Sequence, residues 1–166
     1  KSEEKLDYIV ASDTDSIYVT LDKLVEKTCQ GKDNDQICNF LDKVVGSRIE
    51  PFIEKCFDEL SEYTNAFKNC MVMKREVVAN KGIWVAKKRY MLNVLDDEGV
   101  RLADPKLKLM GIEAVKSSTP QVCRGKIKEA IKVIMAKEEH DLHKLVADFR
   151  KEFMQMPAES IAFPRS

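Results

Sequence analysis

The chain has 166 residues and a mass of 19.0 kDa, enough for one compact domain with an appended subdomain. Hydrophobic residues make up 44% of it, which is typical of a globular protein and excludes a disordered chain. We find no apolar run long enough to span a membrane, and we expect no signal peptide. Because the chain opens on Lys1 rather than Met, we expect a part excised from a longer protein.

The formal net charge is zero, but the charges are unevenly distributed along the chain. Residues 1–62 carry a net charge of −7, residues 63–137 carry +9, and residues 138–166 carry −2. Such asymmetry is typical of a protein that holds cations at one surface and attracts a polyanion to another. A solvated surface with no partner explains the same blocks equally well.

The first predicted element is a β-hairpin with an acidic tip. Residues 8–11 and 17–21 are β-branched and aromatic, and a short polar segment separates them. Asp13 and Asp15 lie in that segment, where two carboxylates repel each other. Mg²⁺ prefers such oxygen ligands, so the tip is a candidate metal site, although a polar turn without any ligand fits this short motif as well.

Residues 33–63 have apolar side chains at spacings of three and four, which predicts a long helix. Asn34 or Asp33 provides its N-terminal cap. Pro51 lies inside the pattern and has no N–H to donate, so we expect a kink or a break there.

Two further strands are predicted at residues 70–79 and 83–95, joined by a turn at residues 80–82. A second turn at residues 96–99 leads to a short strand at residues 100–103. The predicted fold class is therefore α+β: an antiparallel sheet with a packed helix, followed by C-terminal helices.

The C-terminal part becomes helical after Gly111, with Thr119 as a cap and Pro120 at the first helical position. Two apolar stripes mark its two helices: Ile127, Ala130, Ile131 and Ile134 in the first, and Leu142, Leu145, Val146, Phe149 and Phe153 in the second. We place the domain boundary near residues 111–116, between residues 114 and 115.

The acidic tip, read with its neighbours, resembles a known polymerase motif. Residues 12–19 read Ser-Asp-Thr-Asp-Ser-Ile-Tyr-Val and resemble motif C of family B DNA polymerases, which is usually Tyr-Gly-Asp-Thr-Asp-Ser between hydrophobic strands. Ala11 and Ser12 stand where that family has Tyr and Gly. The resemblance implies that Asp15 is the essential catalytic metal ligand and that Asp13 is a catalytic carboxylate of smaller role.

A basic run, Lys87-Lys88-Arg89-Tyr90, follows in a segment predicted to be a strand. Alternation puts Lys87 and Arg89 on one face and Lys88 with Tyr90 on the other. Alone, the run suits either a nucleic-acid backbone or an edge strand protected from aggregation by lysines. It resembles the Lys-Lys-Arg-Tyr motif of the same family, which implies that all four residues contact primer–template DNA, with Lys88 and then Lys87 the foremost groove contacts.

Residues 106–120 resemble the junction between palm and thumb in polymerases of T-even-like phages. A lysine, small hydroxyls and a helix N-terminus can hold a phosphate there, although an ordinary capped helix start also explains them. The candidate DNA-binding residues of this junction are Lys116, Ser117, Ser118 and Thr119. Arg124, Lys128 and Lys132 continue as a basic stripe on the next helix, which is either a phosphate-binding or a merely solvated face.

Upstream, residues 73–76 read Met-Lys-Arg-Glu and resemble a Met-Asp-Arg-Glu segment of phage relatives. The resemblance makes Glu76 a secondary active-site residue. Lys74 replaces the aspartate of that segment, and a structural salt bridge from Glu76 to Arg75 or Lys74 is the alternative.

The resemblance implies a DNA-directed DNA polymerase that transfers nucleotides from dNTP to a primer 3′-hydroxyl with two Mg²⁺ ions. Residues 1–114 would be part of its palm and residues 115–166 the start of its thumb. A sliding clamp is the further expected partner, and the cytoplasm of an infected host cell is the expected location. The family's other polymerase motifs are missing from the sequence, so we expect the chain alone to be catalytically inactive.

Two rival functions remain. One is a non-catalytic nucleic-acid-binding module. The other is a phosphatase similar to haloacid dehalogenases, in which Asp13 would be the nucleophile and Asp96-Asp97 an acidic pair. The absence of alternating strand–helix units in the predicted order opposes the phosphatase.

Overall fold

The computed structural model describes residues 7–162 and confirms the α+β class, with antiparallel sheets and helices. The chain forms two compact units that meet in sequence between Glu76 and Val77. Each unit is described by itself below. No helix within residues 7–162 has the length and apolar character needed to cross a membrane.

The first unit opens with the predicted hairpin. Strand β1 (Ile9–Asp13) pairs antiparallel with β2 (Ser16–Val19), and Thr14-Asp15 forms a two-residue turn between them. Helix α1 (Asp22–Thr28) follows directly.

The long predicted helix is present as three consecutive pieces. These are helix α2 (Asn34–Val44), a π-helical segment (Val45–Ile49) and helix α3 (Glu50–Tyr63). The carboxylate of Asp33 caps α2 by accepting a hydrogen bond from the Gln36 N–H at 2.8 Å, so one of the two predicted caps is confirmed.

The helix is not broken at Pro51, which lies in α3, and its irregularity is the π-helical segment just before this residue. The Glu50 N–H donates to the Val45 carbonyl, five residues back, instead of to the residue four back. Pro51 follows in the first turn of α3 and has no N–H for the Ser47 carbonyl. A single wide turn therefore lets the helix continue past a residue that the α-helical pattern cannot accommodate.

The second unit contains a three-stranded antiparallel sheet in the order β3 (Val77–Ala86), β4 (Arg89–Asp97) and β5 (Val100–Met110). The turn predicted at residues 80–82 is wrong, because these residues lie inside β3. A Cβ on Gly82 would come within 2.7 Å of the Trp84 ring, so this glycine admits a neighbouring side chain rather than a turn. Residues 70–76 are not part of a strand.

The turn predicted at residues 96–99 is confirmed at Glu98 and Gly99, both at positive φ, whereas Asp96 and Asp97 still belong to β4. Strand β5, however, extends to Met110, well beyond the predicted end at residue 103. Its register with β4 shifts between Val94 and Asp96, and Pro105 lies on this outer strand of the sheet, where a residue without an N–H is tolerated.

The C-terminal helices are α4 (Gln121–Ala136), α5 (Glu139–Phe153) and the short α6 (Ala158–Ile161), and a 3₁₀ turn (Glu113–Val115) precedes them. Pro120, not Thr119, is the N-cap of α4, and no side chain caps it. The predicted Thr119 cap is wrong by one residue.

The core of the second unit joins the sheet to α4. Met91 on the middle strand packs with Ile112, Ala114 and Ile131, all buried. Partly buried side chains surround this cluster: Ile83, Leu107, Leu109, Ile127 and Met135. The predicted boundary between residues 114 and 115 therefore lies inside the second unit, and the division into palm and thumb stays a prediction.

Asp96 is a fully buried carboxylate at the end of β4. It pairs with the Arg101 guanidinium and accepts a hydrogen bond from the Gly99 N–H at 3.0 Å. A buried charge of this kind is tolerated only with such partners. Asp96 is thus a structural group that stabilises the β4–β5 turn, and its burial and pairing with Arg101 oppose the catalytic role that the phosphatase hypothesis gives to Asp96-Asp97.

Replacing Asp96 with Ala is expected to lower the free energy of unfolding by about 3 kcal/mol, because Arg101 would be left half-buried without its carboxylate. Urea denaturation followed by the fluorescence of Trp84, the single tryptophan, measures this in the second unit. Asp97→Ala removes the adjacent, more exposed carboxylate and is expected to cost under about 1 kcal/mol. Equal losses in the two variants would contradict the assignment.

Two glycines at positive φ offer a matched test of backbone packing. Gly111 (φ +62) lies so close to the β3–β4 turn that a Cβ would be 2.3 Å from the Lys88 carbonyl oxygen, whereas Gly99 (φ +87) has open space around it. Gly99→Ala is expected to cost about 1–2 kcal/mol for the left-handed backbone alone. Gly111→Ala should cost a further ~1–3 kcal/mol from overpacking.

The same urea experiment compares these two glycine variants. If both variants lose the same stability, the chain accommodates the added methyl group at position 111 without cost, and the close approach of Gly111 to the Lys88 carbonyl does not constrain the fold.

Candidate functional site

The acidic tip of the first unit is held in shape by hydrogen bonds around Asp13. Asp13 ends β1 opposite Ser16, whose hydroxyl donates to the Asp13 carbonyl at 3.1 Å, and the Thr14 hydroxyl donates to the Asp13 carboxylate at 3.2 Å. Thr14 has φ of 54°, unusual for a β-branched residue. Asp15 completes the turn and is exposed to solvent.

The donor set at this tip is two neighbouring carboxylates, of which Asp15 is the more accessible. Within residues 7–162 the structure shows no group of three or more His, Cys, Asp or Glu side chains arranged to hold a metal ion. Mg²⁺ commonly takes only one or two protein carboxylates and completes its shell with water and substrate phosphates. The chemistry of Asp13 and Asp15 therefore fits a magnesium ion that is shared with a phosphate ligand.

The segment before Glu76 is fastened to the helices of the first unit. Lys74 pairs with Glu50 at 2.9 Å, and Arg75 pairs with Asp42 at 2.9 Å. The hydrogen bond from Lys74 is the main reason that the pKa of Glu50 is lowered. Glu76 itself is exposed at the last position of the first unit, and its predicted secondary role stays a prediction.

In the second unit, the basic run is located differently from its prediction. Lys87 and Lys88 form the turn between β3 and β4, with Lys88 at φ of 60°, so the predicted strand alternation does not apply to them. Both lysines are exposed. The turn was misplaced because Asn80-Lys81-Gly82 looks like a turn in sequence, whereas Lys87-Lys88 does not.

Arg89 and Tyr90 begin β4 and are engaged by protein groups. The Arg89 side chain pairs with the carboxylate of Glu113, and its Nε donates to the Gly111 carbonyl at 3.2 Å. Tyr90 is only 8% exposed, with its ring stacked on Trp84 at 6.0 Å. Of the four predicted DNA contacts in this run, Lys87 and Lys88 are accessible, while Arg89 is paired with Glu113 and Tyr90 is buried against Trp84.

The junction at residues 116–119 approaches the same carboxylate. The Lys116 ammonium lies 3.2 Å from Glu113, and the hydroxyl side chains of Ser117 and Ser118 are exposed beside it. The Thr119 N–H donates to the Lys116 carbonyl and closes this loop. The backbone N–H of Glu113 and the ammonium of Lys116, with Arg89, lower the pKa of the Glu113 carboxyl, so it is ionised at neutral pH.

Sequence reasoning assigned no role to Glu113. Its spacing of three from Lys116 was a visible signal for an ion pair. Nothing in the sequence linked it to Arg89, which is 24 residues away.

The basic stripe on α4 is partly accessible. Lys128 and Lys132 are exposed, whereas Arg124 is half-buried and donates to Gln121 at 2.6 Å. Lys126, on another face, pairs with Glu129 and reaches Glu152 of α5 at 3.5 Å. Lys128 therefore presents its charge to solvent more fully than Arg124 does.

The chain is similar to two DNA polymerases from phages. The chain is 43% identical over 165 residues to a DNA-directed DNA polymerase of Escherichia phage RB69, a match that covers 93% of this chain and 18% of that polymerase. It is 37% identical over 166 residues to a DNA-directed DNA polymerase of Enterobacteria phage T4, covering 94% of this chain and 18% of that polymerase. No protein-family model matches the chain.

The match extends along more than nine-tenths of the chain, while the chain spans less than a fifth of each relative. The resemblance to the family B DNA polymerases of T-even-like phages is confirmed, and the chain is related to one segment of those enzymes.

Proposed function

We propose that this chain is the part of a phage DNA-directed DNA polymerase that carries the motif C carboxylates and a surface for the primer–template duplex. The observation that carries the proposal is the similarity to two phage polymerases over more than nine-tenths of the chain. The exposed position of Asp15 in a two-residue turn supports it, because a metal ligand must be accessible.

In this proposal, Asp15 is the principal carboxylate ligand of Mg²⁺, and Asp13 supports it from the end of β1. Glu76 is a secondary carboxylate of the same active site. When bound, two Mg²⁺ ions would activate the primer 3′-hydroxyl and stabilise the departing pyrophosphate of the dNTP. The carboxylate for the second ion would come from a motif that is not in this sequence, so the chain alone is expected to be inactive.

The duplex is held by the second unit. Lys87 and Lys88 would reach the DNA from the β3–β4 turn, and the 116–119 loop would contact a phosphate through the Lys116 ammonium and the exposed Ser117 and Ser118 hydroxyls. Lys128 and Lys132 extend the cationic surface along α4. These contacts carry no sequence preference, which suits an enzyme that copies any template.

A sliding clamp as a partner, and the host cytoplasm as a location, rest on the family resemblance alone. No residue of the chain is assigned to either.

The structure opposes one of the two rival functions and is compatible with the other. The phosphatase hypothesis is opposed by antiparallel pairing on both sides of Asp13-Thr14-Asp15 and by the buried Asp96–Arg101 pair. The hypothesis of a nucleic-acid-binding module fits this chain when it is separate from the rest of the enzyme. The cationic surfaces of the chain belong to the second unit, and they need no metal to bind DNA. DNA binding without catalysis is thus the expected behaviour of the separate chain.

The catalytic part is tested in a chimera in which this chain replaces the matching segment of the RB69 polymerase. Asp15→Asn is expected to lower the rate of primer extension by at least about 100-fold, since a lost metal ligand removes several kcal/mol of transition-state stabilisation. Asp22→Asn, an exposed aspartate in the first turn of α1, is the matched control and should retain the rate. Normal synthesis by the Asp15→Asn chimera would refute the assignment.

The DNA-binding part is tested on the chain itself by fluorescence anisotropy with a labelled primer–template duplex. Replacing both Lys87 and Lys88 with Gln should weaken binding and reduce the slope of log K against log salt by about 1–2, because each phosphate contact releases about one counterion. The control is the double variant Lys137→Gln with Lys144→Gln, which removes two positive charges from another part of the second unit. An unchanged slope in the Lys87/Lys88 variant would reject the turn as a DNA contact.

A further inference from the structure

Two cationic segments that are separate in sequence meet at one carboxylate. The Arg89 guanidinium, directly after the Lys87-Lys88 turn, donates to both oxygens of Glu113. The Lys116 ammonium, at the start of the 116–119 loop, lies 3.2 Å from the same side chain. Glu113 therefore bridges the end of the turn and the start of the loop.

The backbone adds a second connection between these segments. Gly111 approaches the turn so closely that a Cβ would lie 2.3 Å from the Lys88 carbonyl oxygen, and its own carbonyl accepts from Arg89 Nε. The turn thus rests on the chain just before Glu113. Ile112 and Ala114, which flank Glu113, are buried in the core, so this support is fixed to the sheet and to α4.

A carboxylate at this position is unfavourable for a surface that binds a polyanion, because it repels phosphate groups. With Arg89 and Lys116 it also neutralises one of two positive charges. The side chain is nearly half exposed, so the pair contributes little to stability by itself. Neither stability nor attraction to DNA therefore explains the role of Glu113.

We infer that Glu113 is a positioning residue, which holds the Lys87-Lys88 turn and the Lys116 loop in one fixed arrangement so that both contact the same duplex. The inference rests on the proposed DNA-binding function of the second unit. Glu113 itself does not touch the DNA in this arrangement. It acts through Arg89 and Lys116.

The sign of one substitution separates this role from simple electrostatics. Glu113→Gln removes a negative charge, so Coulomb attraction alone would tighten DNA binding. If Glu113 positions the two segments, the same change weakens binding, by about fivefold if roughly one phosphate contact is lost. Glu138→Gln, at the exposed N-cap of α5 where the side chain forms no capping bond, removes the same charge without any such link and serves as the control.

Anisotropy titrations of the whole chain with the primer–template duplex measure the effect. We expect weaker binding for Glu113→Gln and equal or tighter binding for Glu138→Gln. In a chain that already carries Gln at positions 87 and 88, Glu113→Gln should lose the part of its effect that acts through the turn and keep the part that acts through the Lys116 loop. Tightening by Glu113→Gln to the same extent as by Glu138→Gln would overturn the inference.

A readout without DNA keeps this test separate from that of the proposed function. Heteronuclear NOE values report the order of backbone amides. The values for Lys87, Lys88 and Ser117 should fall in Glu113→Gln but not in Glu138→Gln. If the chain fails to bind the duplex but these amides lose order, the DNA-binding proposal fails while the positioning role stands. If the amides are unchanged, the positioning role itself is wrong.

Discussion

The arrangement of the second unit depends on the meeting of the β3–β4 turn with the chain at residues 111–113. Gly111 allows the two backbones to approach, and Glu113 joins Arg89 to Lys116. Both contacts are anchored, because Ile112 and Ala114 between and beside them are buried against Met91 and Ile131. The exposed basic turn and the exposed basic loop are thereby connected to the packed core of the second unit.

In the proposed function, this arrangement separates the residues that would touch the DNA from the residues that hold them in place. Arg89 and Tyr90 belong to the same short motif as Lys87 and Lys88, yet their side chains are occupied by Glu113, Gly111 and Trp84. A long cationic side chain loses much conformational entropy when it is ordered. If these lysines bind DNA as proposed, an ordered backbone beneath them lowers the entropy cost of binding.

In the first unit, local hydrogen bonds rather than packing stabilise the hairpin tip. The buried apolar residues of this unit are few, with Cys29 and Cys38 the buried ones among those that the structure describes. The hairpin tip is instead shaped by the Asp13 carbonyl and carboxylate, which accept from the hydroxyls of Ser16 and Thr14. Asp13 thus takes part in hydrogen bonds of the hairpin, whereas Asp15 is exposed to solvent. This difference agrees with the proposed function, in which Asp15 is the principal metal ligand and Asp13 has the smaller role.

The sequence by itself determined the features that depend on neighbouring residues. Hydrophobic spacing located the long helix, Asp33 marked its cap, and Pro51 marked the region of its π-helical segment. The β-branched and aromatic segments on either side of a polar tip located the hairpin. Each of these signals acts through hydrogen bonds or periodicity within a few residues, so no tertiary contact is needed to recognise it.

Only the tertiary structure decided where the β3–β4 turn lies and what surrounds it. Gly82 looks like a turn residue in sequence but accommodates the Trp84 ring, and Lys88 takes positive φ against Gly111. The contact of Arg89 with Glu113 joins residues 24 apart. Such contacts arise from side-chain packing and chain crossing, which override local propensity and leave no periodic trace in the sequence.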